Sequence, residues 1–195
     1  MNRKFITIAF AGAALCACGT GQSESSVKDA SSQVNSTSVR VTLTAEELQP
    51  PKQDNDPRYE DVVYDPCTFV EDQAVINAGF DPSTRRRIDG AAEWTNLGCH
   101  FDSVDGGMLL ISGNVKFEDQ RERFADKRVS NELVNGRDAF IYREPGDPRT
   151  CSLDMRTKVG SALVAVTVDV GSNVNPCDGL VRVAQIIEPS IGAEN

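Results

Sequence analysis

Cysteine is the residue type whose positions in this sequence point most directly to chemistry. Cys18 follows Leu15, Cys16 and Ala17, which is the Leu-x-Ala-Cys order of a bacterial lipoprotein box. In such a box the cysteine thiol receives diacylglycerol before the signal peptide is cleaved. Ala17 is small enough to precede the cleavage site, whereas Leu15, directly before Cys16, is too bulky. The pattern therefore predicts cleavage after Ala17 and lipidation of Cys18.

The residues before Cys18 have the composition of an export signal. Arg3 and Lys4 give a positive start, and residues 5–15 are apolar or small, a length typical of a signal-peptide core. A membrane-spanning helix would need about 20 apolar residues. We therefore expect residues 1–17 to be a lipoprotein signal peptide, with palmitate-type chains on Cys18 holding the protein to the cell membrane on its extracytoplasmic face. An ordinary secretory signal with two incidental cysteines is the alternative.

The charge balance limits the partners that the chain can bind electrostatically. The formal net charge is −9 at pH 7, and loss of Arg3 and Lys4 with the signal peptide would make it −11. Nucleic acid requires a basic face, and anionic lipid attracts basic segments. We therefore expect no nucleic-acid partner and a membrane attachment that depends on the acyl chains.

Four further cysteines, Cys67, Cys99, Cys151 and Cys177, would remain in an exported domain. An even number of cysteines in an oxidising compartment predicts disulfides, here two. Cys67 and Cys177 each follow a proline at a predicted helix start, whereas Cys99 and Cys151 lie on the core face of predicted strands. Of three connectivities, helix-to-strand pairing is therefore favoured, as Cys67–Cys99 and Cys151–Cys177. Zinc is the alternative, but the sequence has one histidine and no C-x-x-C pair, so we expect no metal and no cofactor.

Other residues offer little for catalysis. His100, the only histidine, alternates with Cys99 and Phe101 and should face away from the core, and no Gly-x-Ser-x-Gly elbow presents a nucleophile. Asp102 and Asp154 each follow a core residue in a predicted strand. Two neighbouring acids could hydrolyse a glycoside, but solvated, outward-facing side chains are the favoured interpretation. We expect no catalytic residues and no enzyme activity.

Arg85, Arg86 and Arg87 form a basic run in an acidic chain. They are the candidate contact for a partner, which could be an anionic wall polymer, a phospholipid headgroup or an acidic envelope protein. The favoured alternative is a loop of solvated arginines, one of them paired with a nearby aspartate.

The composition divides the chain into a tether and one domain. Residues 18–58 are rich in Ser, Gln, Asn and Thr, a composition that buries too little apolar surface to fold. We predict that this segment is a lipidated, disordered tether. Residues 59–189 are predicted to form the disulfide-linked domain, and residues 190–195 a tail.

Caps, apolar periodicity and turn residues predict the elements of this domain. Helices are expected from Asp65 to Gly79, over residues 117–128, and from Asn175 to Pro189. Strands are expected over residues 97–102, 108–115, 138–143, 150–155 and 161–168. The sum is a single α+β domain, with an antiparallel sheet of about five strands and helices packed on one face.

The order of these motifs resembles a known family. The motifs surround the cysteines and are, in chain order, Asp65-Pro66-Cys67-Thr68-Phe69, Gly79 at a helix end, Gly98-Cys99-x-Phe101, Cys151 in a strand, and Cys177 opening the last helix. Together with the lipoprotein box, they are similar to the actinobacterial lipoprotein family catalogued as domain of unknown function 3558. The resemblance covers about residues 59–187. Its motifs are structural, so it implies no activity.

The expected function is that of a lipid-anchored, non-enzymatic binding or accessory module of the cell envelope, whose partner is an envelope protein or a small ligand. A first alternative is a carrier that holds lipid or another small ligand in an apolar cavity between sheet and helices. A second is an envelope hydrolase, which would need acids or His100 to converge in a cleft. The sequence leaves the ligand, the partner and the oligomeric state open.

Overall fold

A computed structural model of the chain describes residues 43–91 and 93–195. The predicted signal peptide, the predicted lipidation site Cys18 and residues 18–42 of the predicted tether lie outside the described residues. No helix within the described part of the chain is long and apolar enough to cross a membrane.

Strands form the centre of the domain. In chain order they are β1 (Asp81–Arg87), β2 (Gly90–Ala91), β3 (Thr95–Ser103), β4 (Gly106–Gly113), β5 (Arg128–Val134), β6 (Arg137–Tyr142), β7 (Thr150–Arg156) and β8 (Ser161–Val168). Seven of them make one antiparallel sheet in the order β1-β3-β4-β8-β7-β6-β5, and the two-residue β2 pairs with β3 beside this path. The α+β class is confirmed, but five strands was an undercount.

The missed strands lie at the two edges of the sheet. β5 pairs with β6 through a tight turn at Asn135 and Gly136, which have φ values of 51° and 92°. An Asn-Gly pair is a strong signal for a hairpin because both positions require positive φ. β1 contains Pro82 and the three arginines, which made it resemble a loop. A proline is tolerated here because β1 is an edge strand, where one side of the backbone lacks a neighbour.

Four α-helices accompany the sheet: α1 (Pro66–Phe69), α2 (Asp72–Ala78), α3 (Phe117–Arg123) and α4 (Leu180–Ile187). The predicted first helix is divided at Val70, which has an extended backbone, and α2 ends at Gly79 with φ 94°. The Asp65 carboxylate caps α1 by accepting a hydrogen bond from the Cys67 amide at 3.2 Å. The second predicted helix ends five residues earlier than expected, at Arg123. The last helix begins at Leu180 rather than near Asn175.

The main hydrophobic core lies between one face of the sheet and helices α1, α2 and α4. The side chains that fill the middle of this layer come from three strands and are 1% exposed or less: Cys99, Phe101, Leu110, Leu153 and Met155. These are alternate residues of their strands, as expected for one face of a sheet.

Helix α3 packs on the opposite face, so the prediction that all helices share one face is wrong. Phe117 of α3 and Phe124, the residue that directly follows α3, contact Phe140 and Tyr142 of β6. The ring centroids of Phe117 and Phe140 are 5.5 Å apart. Phe140 alternates with Ala139, which belongs to the main core. Strand β6 is thus apolar on both faces, and each face needs a covering layer.

Two disulfides join the helical layer to the strands. Cys67 is bonded to Cys99 with a Cα separation of 4.9 Å, and Cys151 to Cys177 with a Cα separation of 5.1 Å. These are the helix-to-strand pairs that the sequence favoured. The first attaches α1 to β3, and the second attaches the turn before α4 to β7.

The domain extends beyond the predicted boundaries at both ends. The Leu43 amide donates to the Thr68 carbonyl at 2.9 Å, and Gln53 makes two hydrogen bonds with the Val62 backbone. Ile191 is fully buried. Residues 43–58 and 190–195, assigned from composition to the tether and the tail, therefore pack on the domain instead.

Candidate functional site

The arginines of the basic run lie on strand β1, where they form ion pairs within the domain. The Arg85 side chain is 6% exposed, pairs with Asp72 at 2.7 Å, and donates to the Cys67 and Val70 carbonyls at 3.1 and 2.9 Å. Arg85 therefore holds helices α1 and α2 against the edge of the sheet. The expectation of a solvated arginine loop is wrong, because alternation along β1 directs Arg85 toward the helices.

Arg87 lies on the same side of β1 as Arg85. Its guanidinium pairs with Asp65 at 2.5 Å and with Asp89 at 2.8 Å, and it donates to the Leu48 carbonyl. The Arg87 and Asp65 side chains are only 13% and 4% exposed. Arg87 thus ties the helix cap and the N-terminal segment to the sheet, and it is not available to a partner.

Arg86 is the exposed member of the run, and it joins His100 and Asp102 on the other face of the sheet. Arg86 donates to Asp102 at 2.8 Å and to His100 Nε2 at 3.5 Å. His100 Nδ1 lies 3.4 Å from Asp102 but makes no hydrogen bond within the described part of the chain. Burial and the neighbouring Arg86 lower the pKa of His100, and the hydrogen bond from Arg86 lowers the pKa of Asp102. In a Ser-His-Asp arrangement the second histidine nitrogen faces the nucleophile, whereas His100 Nε2 faces the Arg86 guanidinium.

Asp154 is an unexpectedly buried acid in the sheet. It lies in the middle of β7, is 2% exposed, and faces α3 rather than solvent. The expectation of a solvated acid is wrong because α3 covers this part of the face. Burial raises the pKa of Asp154 to about 6, although the Ser161 hydroxyl bonds to the carboxylate and opposes the rise. Its Oδ1 atom has no hydrogen-bond partner among the described residues.

A small cavity, here called the α3 pocket, lies beside this carboxyl group. Its volume is about 160 Å³, and its polar lining is Asn96, Gln120, Arg123, Tyr142, Asp154 and Ser161. Apolar contacts come from Ile111, Phe124 and Leu163. Gln120 Oε1 is also buried without a hydrogen-bond partner among the described residues. Two unpaired acceptor atoms therefore lie on the walls of one cavity.

Two stacked rings form the aromatic side of the α3 pocket. The Phe124 and Tyr142 rings are stacked with centroids 4.0 Å apart, and the Arg123 guanidinium lies over Phe124 at 5.5 Å from the ring centroid. Burial and the nearby Asp154 raise the pKa of Tyr142, so its hydroxyl keeps its proton. The Tyr142 hydroxyl also bonds to Ser152.

The lining of the α3 pocket combines a single acid with unpaired acceptor atoms. Asp154 is the one acid among the residues that line it, whereas glycoside hydrolysis requires a pair of carboxyl groups about 5–9.5 Å apart. An unpaired buried acceptor costs about 1–3 kcal/mol, a cost that a bound donor would remove. The residues missed from the sequence are Gln120 and Tyr142, whereas Asp154 was named but expected to be solvated. The signal that could have found them is the spacing of Phe117 and Phe124, which gives α3 an apolar side.

The fold and the pocket together define a class of protein: a disulfide-linked α+β domain with a small, polar-lined cavity beneath a short helix. The chain belongs to the family described as "Protein of unknown function (DUF3558)", whose sequence model matches residues 13–190. The resemblance to domain of unknown function 3558 is thereby confirmed. No curated protein and no solved structure matched the chain.

Proposed function

We propose that this protein is a lipid-anchored, non-enzymatic binding module on the extracytoplasmic face of the cell membrane, and that it binds a small molecule in the α3 pocket. The observation that carries the proposal is the buried Asp154 carboxyl, whose Oδ1 atom is unpaired beside a cavity. A buried polar group normally has a partner. A ligand that donates a hydrogen bond supplies one.

The extracytoplasmic location rests on two independent features. The lipoprotein box predicts export and acylation of Cys18, and the bonded pairs Cys67–Cys99 and Cys151–Cys177 are typical of an oxidising compartment. A carrier with an apolar cavity between sheet and helices is less favoured, because fully buried side chains such as Phe101 and Leu153 occupy that layer.

The anchor is tested by growing cells with radiolabelled palmitate and measuring label and location. Wild-type protein is expected to carry the label and to sediment with membranes. Cys18→Ala should lose the label and leave the membrane fraction, whereas the control Cys16→Ala should behave as wild type. An unlabelled wild-type protein would contradict the anchored version of the proposal.

Binding is tested by native mass spectrometry of protein purified from its own envelope. Wild type is expected to retain an extra mass that is absent from Asp154→Asn. The control is Asp126→Asn, which removes a carboxylate from the exposed residue just after α3. Equal retention by all three proteins would place the ligand elsewhere and contradict the assignment of the α3 pocket.

A further inference from the structure

The unpaired hydrogen-bond acceptors of the α3 pocket indicate which class of ligand it can bind. Asp154 Oδ1 and Gln120 Oε1 are both acceptors without partners in the described part of the chain. An ionised carboxylate and an amide oxygen cannot satisfy each other, because neither has a proton to donate. The complementary ligand must therefore present at least one hydroxyl or N–H group to this wall.

The charges around the cavity oppose a charged ligand. Arg123 and Asp154 both line the pocket. Their opposite charges act on Tyr142 in opposite directions: Asp154 raises the pKa of its hydroxyl and Arg123 lowers it. A phosphate or carboxylate would be close to Asp154, and an ammonium group would be close to Arg123. Like charges that share one partly dry cavity repel each other strongly. A neutral ligand avoids both repulsions.

The remaining polar groups favour a ligand that both donates and accepts. Ser161, Asn96 and Gln120 line the cavity. A serine hydroxyl can donate or accept a hydrogen bond, and a side-chain amide offers an acceptor oxygen and a donor NH₂ group. Asn96 reaches over Gly113, where a Cβ atom would lie 2.6 Å from the Asn96 Oδ1 atom. Only glycine leaves the Asn96 amide in this position. Hydroxyl groups, which donate one bond and accept others, match such a lining.

Size and shape limit the ligand further. A cavity of about 160 Å³ is smaller than the roughly 300–1,000 Å³ that suits a drug-sized molecule. Phe124 and Tyr142 line one side of the cavity, where they offer apolar contact to the C–H groups of a saturated ring. One six-membered or five-membered ring is the natural occupant.

From these four features we infer that the α3 pocket binds a neutral, polyhydroxylated ring of monosaccharide size, with Asp154 and Gln120 accepting its hydroxyl groups. The inference rests on the proposed function, since it names the ligand class of the same pocket. Asp154 and Gln120 are binding residues in this scheme, and no bond in the ligand is broken.

The experiment titrates the full-length, lipid-bearing chain, kept in a detergent without sugar groups, with glucose, galactose, mannose and arabinose. Isothermal calorimetry measures the affinity, and ligand-observed NMR detects weak complexes. At least one sugar is expected to bind, and both Asp154→Asn and Gln120→Ala should weaken it by about tenfold or more, the effect of losing one hydrogen bond to a charged or desolvated group. The control Asp126→Asn should leave the affinity unchanged.

Two further probes separate failure of the ligand class from failure of the binding site. Glucose 6-phosphate and choline carry an anionic and a cationic group. Binding of either probe without any neutral sugar, if sensitive to Asp154→Asn, would overturn the sugar inference and leave the pocket as a binding site. Absence of binding by every probe would overturn the inference, while the native mass measurement decides the proposed function independently.

Folding of the variants is checked by circular dichroism. Should Asp154→Asn fail to fold, Gln120→Ala decides, since Gln120 is only partly buried on α3 and alanine is the best helix former. Sugar affinity that is unchanged in folded Gln120→Ala would contradict the assigned geometry.

Discussion

Asp154 is buried because a helix that ends 31 residues earlier in the chain lies over its strand. Alternation along β7 correctly places Asp154 on the face opposite Cys151 and Leu153. Alternation alone does not tell whether that second face meets water or another layer. The covering helix α3 decides this, and its position depends on contacts between residues distant in sequence.

The raised pKa of Asp154 makes stability depend on pH. The pKa rises from 3.8 to about 6 on folding, so the folded state binds the proton more tightly than the unfolded state. The free energy of unfolding must therefore fall as pH rises from about 4 to about 6, with the full loss present above that range. The loss is about 3 kcal/mol, because each pKa unit corresponds to about 1.4 kcal/mol.

We therefore expect Asp154→Asn to stabilise the domain by about 3 kcal/mol at pH 7.5 and to have little effect at pH 4. The asparagine keeps the shape and the acceptor for Ser161 but cannot become charged. Urea unfolding of both proteins at the two pH values measures the difference. A stabilisation that is equal at both pH values would contradict a buried, titrating carboxyl at this position.

Neighbouring arginines of β1 should differ sharply in their importance. Arg87→Ala leaves the nearly buried Asp65 without its cation, and removing one partner of a buried pair costs about 3–5 kcal/mol. Arg86→Ala removes a solvent-exposed pair with Asp102, which is worth about 0–1 kcal/mol. Thermal unfolding of the two variants beside wild type measures the contrast. Equal losses would show that Arg87 does not make the buried ion pairs described.

At the scale of elements, α3 is a short helix held mainly by aromatic contacts. Its seven residues are too few to be stable alone, so packing of Phe117 and Phe124 on β6 must hold it in place. The roof of the α3 pocket therefore depends on these rings.

Phe124→Ala should lower the free energy of unfolding by about 3–5 kcal/mol, the usual cost of truncating a buried phenylalanine. It should also loosen α3 and increase amide hydrogen exchange over residues 117–124, with little change in β7. Hydrogen exchange followed by mass spectrometry gives both results. Protection of α3 at wild-type levels would mean that other contacts position it.

The sequence predicts the elements with local signals well and the edge strands poorly. The cap at Asp65 and the stop at Gly79 were readable because they depend on neighbouring residues. β5 was missed although Asn135 and Gly136 signal a hairpin, because it is an edge strand in which Val134 alone is fully buried. β1 was missed because edge strands accept proline and charged residues that central strands exclude.

At the scale of the whole molecule, the two disulfides fasten the helical layer to the sheet. They close loops with sequence separations of 32 and 26 residues, and each is expected to contribute about 3.5 kcal/mol by restricting the unfolded chain. The composition rule that placed residues 43–58 in the tether failed because this segment gains order from hydrogen bonds to the domain rather than from its own apolar residues.

Replacing Cys151 and Cys177 together by serine should lower the free energy of unfolding by about 3.5 kcal/mol. Urea unfolding under non-reducing conditions measures the loss. The matched comparison is the pair Cys67→Ser with Cys99→Ser, for which the closed loop is of similar length. A variant as stable as wild type would show that the Cys151–Cys177 bond is absent from the native protein.

Strand β7 carries Cys151 and Asp154 three residues apart, one facing each layer. One strand therefore contains both a disulfide that stabilises the fold and a carboxyl group whose ionisation destabilises it by a similar amount. In buffers that reduce the bridge, the thiol form is therefore expected to be more stable in mildly acidic surroundings, where the Asp154 carboxyl is uncharged, than in neutral surroundings.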